Sequence, residues 1–128
     1  MKTTFTLEEA VENHRKLWRE IARILREEDV TEIIYKKFFY YSRHTAIKIE
    51  AMRNIYKNKY ENNDIQHNCF LCEYSFVSCK KCPLYDRKGR IGCLNGRYAI
   101  FRGEICYGNY KEAADVASEI AELPIVNI

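Results

Sequence analysis

Two Cys-x-x-Cys pairs lie within the stretch "HNCFLCEYSFVSCKKCPL" at 67–84, and they constrain the fold more than any other feature of the chain. Thiols at that spacing sit on one turn and face the same way, so each pair is half of a tetrahedral zinc site with Zn–S near 2.3 Å. Cys69/Cys72 and Cys79/Cys82 are separated only by "EYSFVS", a short hairpin able to close the site. A structural zinc on Cys69, Cys72, Cys79 and Cys82 is therefore expected. Catalytic zinc usually keeps an open position with three protein ligands, which four cysteines do not favour. Redox chemistry calls for a single pair at the start of a helix that follows a strand. Here neither pair follows a Val/Ile-rich run. Buried or incidental thiols are the remaining reading.

A disulfide framework would need an oxidising compartment. The start of the chain, "MKTTFTLEEAVENH", has no apolar stretch before its charges and does not read as a signal peptide, so a cytoplasmic protein with free thiols is expected. No run approaches the apolar length of a membrane span, and no membrane partner is expected.

The other two cysteines leave alternatives. Cys93, in "RIGCLNG", can replace Cys69 as a ligand and is held in reserve. Cys106 is expected as a small buried residue, a common fate of free cysteine. His67 is either a substitute ligand or a solvated loop histidine.

Helical spacing organises much of the remainder. Thr6-Leu7-Glu8-Glu9 reads as a capping box. Behind it Leu7, Ala10, Val11, His14, Leu17, Trp18, Ile21 and Leu25 recur on one face, which predicts a helix over 7–28. Glu12 and Lys16 form an i,i+4 pair on its wet side, and His14 is expected in the core or at its boundary. The segment "DVTEIIYKKFFYYSRH" at 29–44 suits a helix or a strand, since β-branched and aromatic residues favour strands. It lacks Gly and Pro, which favours helix. As a helix it would put Ile34, Phe38 and Tyr41 on one face, with Tyr35 and Phe39 about 100° around. Two aromatic stripes need cover from two sides. Burial of both is the expectation; exposure would make Tyr35, Phe39 and Tyr40 a partner surface.

Thr45 is a candidate cap for a further helix with Ile47, Ala51, Met52 and Ile55 on one face, and "ENND" at 61–64 reads as a loop. No sustained apolar period is apparent over 68–108, so a metal is expected to hold that region. Near the end, "GNYKEAADVASEIAELP" offers Asn109 as a cap and Ala113, Ala114, Val116, Ala117, Ile120 and Ala121 as a small-residue face, stopped at Leu123-Pro124. The expected fold is mainly α: one domain over 1–128, with a helical part at 1–62, an irregular zinc-stabilised cysteine module at 63–108 and a C-terminal helix at 109–124.

The 128 residues carry a formal charge of only +3, which permits an anionic partner without demanding one. The cationic residues are concentrated, however. Lys80, Lys81, Arg87, Lys88, Arg90, Arg97 and Arg102 face only Asp86 between them. A zinc with four thiolates has net charge −2, so part of this rim compensates the metal. The rest, interleaved with Tyr85, Tyr98 and Phe101, suits phosphates and stacked bases. No glycine-rich phosphate loop, nucleophile elbow or two-histidine metalloprotease helix occurs, and no enzyme is expected.

"NHRKLWREIA" at 13–22, "CFLCEYS…CKKCPL…CLNGRY" at 69–98 and "EAADVASEIAELP" at 112–124 together resemble a group of small phage and prophage proteins of low-GC Gram-positive bacteria. That group shares an N-terminal His/Trp helix, a CxxCE…CxxCPL module with a further cysteine, and a tail ending in Leu-Pro. Against that pattern, the stretch at 31–42 is longer and more aromatic here. The resemblance implies origin, a phage-type protein in a bacterial host cytoplasm, and carries no activity of its own. Taken with the compact size, the expected structural metal and the lack of a catalytic set, that origin makes binding of a host or phage protein the expected role, such as inhibition of a bacterial defence component of the CRISPR nuclease kind. A nucleic-acid-binding zinc module working through the basic 80–102 run is the alternative.

Overall fold

The computed structural model describes residues 6–56 and 97–123, and these are mainly helical, with no strand among them. The first helix, α1, spans Leu7–Glu27. Its start is the predicted capping box: the Glu9 amide donates to Thr6 Oγ1 at 3.1 Å, and the Thr6 amide donates to Glu9 Oε1 at 3.2 Å. Two of the amides left over at the helix start are satisfied in this way. The Lys16–Glu12 pair forms at 3.1 Å on the wet side. The predicted apolar face is buried from Ala10 to Leu25 except for the partly buried Val11, and Ala22 and Ile24 widen it.

Asp29 then restarts the chain. Its carboxylate accepts from the Glu32 amide at 3.1 Å and caps a single α-turn, α2, Val30–Glu32. This runs into a π-helical turn, Ile33–Lys37, closed by the Phe38 amide donating to Ile33 O at 3.0 Å. The predicted helix over 29–44 is thus a short one with a widened end. An i+5 closure stacks Phe38 beneath Ile33, and Ile33, Ile34 and Phe38 are all buried. Past Phe38 the backbone leaves the helix, at φ −129° and ψ 44°. Tyr41 therefore does not share the face of Ile34 and Phe38 as expected. It is about half exposed and touches Phe38 edge-on, with centroids 6.3 Å apart.

Helix α3 covers Arg43–Tyr56 and buries Ala46, Ile47, Ile49, Ala51 and Met52, with Ile55 packed against them. It begins three residues earlier than a Thr45 cap would allow. Ser42 O accepts the Ala46 amide at 2.9 Å, while Ser42 Oγ donates to Thr45 Oγ1 at 2.6 Å.

Helix α4, Arg97–Cys106, corrects the expectation that no apolar period reaches Gly108. Tyr98, Phe101 and Ile105 follow at i, i+3 and i+7, and all three are buried. A turn through Gly108, at φ +77°, leads into α5, Tyr110–Ala121. Glycine alone takes that left-handed conformation without strain. Asn109 occupies the predicted cap position, but its side chain makes no capping bond.

Helix α1 packs most extensively on α5 and next on α3, while α4 lies against α5 and α3. Ala113, Ala114, Ala117 and Ala121 are wholly buried, so α5 approaches α1 closely. Trp18 fills the centre. Phe101 and Tyr98 meet its ring edge-on, with centroids 5.0 and 6.0 Å away. Edge-to-face contacts of this kind add about 0.5–1.5 kcal/mol each beyond area burial. Around the rim, Arg19 binds Glu122 at 2.8 Å, Arg26 binds Asp115 at 2.9 Å and Arg97 binds Glu119 at 2.6 Å, tying α1 and α4 to α5. None of the helices among the described residues is long and apolar enough to cross a membrane.

Candidate interaction surface

His14 shows what the bundle does with a potentially reactive side chain. Its ring is buried, and Nε2 lies 3.0 Å from Ile120 O in the last turn of α5, where the helix leaves carbonyls without an i+4 partner. A carbonyl only accepts, so Nε2 carries the proton. Burial pulls the pKa down to about 4, against a smaller upward pull from that hydrogen bond, and the ring is neutral at pH 7. His14 therefore fastens two helices and is out of reach of a dissolved substrate.

The corner between the π-turn and α3 is built in the opposite sense. Tyr35 is 50% exposed, Phe39 58% and Tyr40 86%. The expectation that both aromatic stripes are buried is corrected: one is core and the other faces outward. The reason is geometric. The π-turn directs Ile33, Ile34 and Phe38 inward, and the chain then turns away before Phe39 can reach the bundle. Phe39 and Tyr40 rest on each other instead, with centroids 4.0 Å apart.

Arg43 anchors this corner. Its guanidinium lies 5.4 Å from the Tyr35 ring centroid and donates to Cys106 O at 2.7 Å, at the C-terminal end of α4. Tyr107, beside it in sequence, is 83% exposed. Tyr110 completes the group; partial burial raises its pKa, and Tyr35 adds to the rise while Arg43 opposes it. On the other side of the π-turn, Lys37 Nζ binds the buried Glu50 carboxylate at 2.7 Å, and Arg53 covers the Phe38 ring at 4.9 Å. A cleft of about 510 Å³ opens there between Glu28, Asp29, Glu32, Lys36 and Glu50. Among the described residues, no group of three or more His, Cys, Asp or Glu side chains is placed to hold a metal.

The remaining predicted site residues divide into two sets. Cys69, Cys72, Cys79, Cys82 and Cys93, together with Lys80, Lys81, Arg87, Lys88 and Arg90, lie outside the described residues, as do His67 and Tyr85. Arg97 is described and is engaged with Glu119. Tyr98 and Phe101, expected as base-stacking residues, are buried against Trp18 and present no face to a base. Cys106 is exposed rather than buried. It follows Ile105, the last residue of the α4 core stripe, and a step of 100° turns its thiol outward. Arg43, His44 and Tyr107 were missed as surface residues. The sequence signal was present in the acid-free run from Ile33 to Ile49, which contains Lys36, Lys37, Arg43 and Lys48.

Comparison with protein-family models, curated proteins and solved structures finds no match.

Proposed function

We propose that this chain is a small binding protein that captures a protein partner through Tyr35, Phe39 and Tyr40. The observation carrying the reading is the outward aromatic corner. Large apolar side chains exposed side by side mark interaction sites, and aromatic residues dominate binding energy when a partner buries them. The fixed Arg43 beside them adds a cation and spare donors, a combination typical of binding hot spots. Small size, four closely spaced thiols suited to a structural metal, no catalytic set and a phage-type resemblance together support inhibition of a bacterial defence component, such as a CRISPR nuclease, in a bacterial cytoplasm as the role of that capture. Binding rather than catalysis fits a buried His14 that serves packing.

A structural zinc on Cys69, Cys72, Cys79 and Cys82, with Cys93 in reserve, belongs to the same proposal. The chemistry of four thiolates at this spacing supports it. Elemental analysis is expected to find one zinc per chain, and metal-free protein with freely reactive thiols would defeat it. Because α4 has its own apolar stripe, chelation is expected to leave amide exchange across Arg97–Cys106 unchanged.

Phe39→Asp tests the binding surface. Retained helical circular dichroism with loss of a defined CRISPR nuclease from a pulldown is the expected result. A folded variant that captures the nuclease as well as the parent does removes Phe39 from the surface, and unfolding would return it to the core. The basic run at 80–102 remains the alternative, with Arg97 and Arg102 as its described members; it has lost Tyr98 and Phe101 as stacking partners to the core.

A further inference from the structure

The seam between α3 and α4 gathers positive charge on the same side of the molecule as Arg43. His44 and Arg102 approach one aromatic ring: the imidazole centroid and the guanidinium carbon each lie 6.0 Å from the centroid of Tyr98. Lys48 follows His44 at i+4 and shares its face of α3. Arg43 continues the row toward the α4 C-terminus through its bond to Cys106 O. The first turn of α3 contains no acidic residue, so the positive end of that helix adds to the field. The nearest acid on α4 is Glu104, the single carboxylate of that helix. Partial burial lowers the His44 pKa, and Arg102 and Lys48 lower it further. At pH 7 the cations of the row are therefore Arg43, Lys48 and Arg102, and the mainly neutral imidazole can offer a phosphate an N–H.

Like charges held together raise the energy of the free protein and favour a polyanion that neutralises them. Flat aromatic faces stand at the end of the row: Tyr35 under Arg43, and Tyr107 next to Cys106. Cations spaced along a seam with exposed rings beside them match the chemistry of single-stranded nucleic acid, whose phosphates follow the cations while unpaired bases stack on the rings. A duplex keeps its bases stacked on each other and would leave these rings unused.

We propose that the α3–α4 seam binds a single-stranded nucleic acid segment, with Arg43, His44, Lys48 and Arg102 meeting phosphates and Tyr35 and Tyr107 stacking bases. The seam shares Tyr35 and Arg43 with the protein-capturing corner, but its test is separable from protein capture, because it reads binding by the purified chain alone.

The test is fluorescence anisotropy of the full chain with a fluorescein-labelled single-stranded DNA of about 12 nucleotides, over rising salt. Affinity is expected to fall with a log–log slope of about −2 to −3, at roughly 0.7 per phosphate neutralised. Arg102→Glu is expected to weaken binding more than tenfold, and Lys16→Glu, the same charge change on the wet side of α1 where Lys16 pairs with Glu12, less than threefold. Tyr107→Ala is expected to weaken the single strand several-fold while leaving duplex binding unchanged. If Arg102→Glu fails to fold, Arg102→Gln serves in its place with the same direction of effect. Equal losses from Arg102→Glu and Lys16→Glu would overturn the seam as the site. Duplex binding as tight as single-strand binding would overturn the stacking. Retention of polyglutamate with no oligonucleotide binding at low salt would replace the nucleic acid by an acidic protein segment and overturn the proposal.

Discussion

The α1–α5 interface and the Ile33–Tyr41 corner both begin from apolar-rich sequence, yet they are built to different ends. At the interface, four alanines admit a second helix at close range, and His14 caps the last turn of α5 from across the gap. At the corner two adjacent rings part: Phe38 is 6% exposed and Phe39 58%. The difference teaches that hydrophobic content does not decide burial. What decides it is whether the backbone continues in register under a partner element, and the π-turn ends that register at Phe38.

The sharpest way to break the comparison is at the centre of the bundle. Trp18→Ala removes the ring that Phe101 and Tyr98 meet edge-on and leaves a cavity that three helices cannot collapse around. A loss of about 3–5 kcal/mol is expected, read by urea denaturation followed by circular dichroism. A loss below 1 kcal/mol would mean that the packing of α4 on α1 contributes little.

Next in size is the pH response of the same interface. The folded His14 titrates near pH 4 and an unfolded one near 6.5, so between those values the unfolded chain holds about one more proton. Stability therefore rises with pH through this window. It is fully present above 6.5, and roughly 3 kcal/mol is lost as pH falls toward 4. The partly buried His44 adds a contribution of the same sign. Glu20, whose carboxyl is held below its usual range chiefly by Arg23, adds a loss that begins at more acid pH. His14→Gln can keep a donor toward Ile120 O without titrating. Denaturation between pH 6.5 and 4 should accordingly show a flatter dependence in that variant, and an unchanged slope would remove His14 as its source.

Much of the bundle was legible because it rests on local rules. A capping threonine, a 3.6-residue apolar stripe and a run of alanines each act within a turn or two, and all three are visible in the chain. Helix α4 escaped notice because only three core residues carry its period, and Cys, Gly and Arg neighbours blur it. The corner was half legible. Its aromatic content marked Tyr35, Phe39 and Tyr40 as candidates, but their exposure depends on an i+5 hydrogen bond that periodicity cannot foresee. The cationic seam was least visible, since His44 and Arg102 lie far apart in the chain and meet only around Tyr98.

The smallest expected effect on stability sharpens the comparison most, because it sets two adjacent phenylalanines against each other. Phe38 packs in the core beneath Ile33, with Tyr41 at its edge and Arg53 over its face. Phe38→Ala should cost about 3 kcal/mol or more, as for other buried phenylalanines. Phe39 is exposed, and its nearest ring is the still more exposed Tyr40. Removing it forfeits one surface ring contact and exposes no core, so Phe39→Ala is expected to change stability by no more than about 0.5 kcal/mol. Denaturation midpoints of the two variants, measured in parallel, give the contrast directly. Near-equal losses would mean that Phe39 also packs into the bundle, and the outward corner would no longer be a surface kept free for a partner. A wide gap leaves Phe39 as a side chain that folding does not require, with its apolar face available for binding.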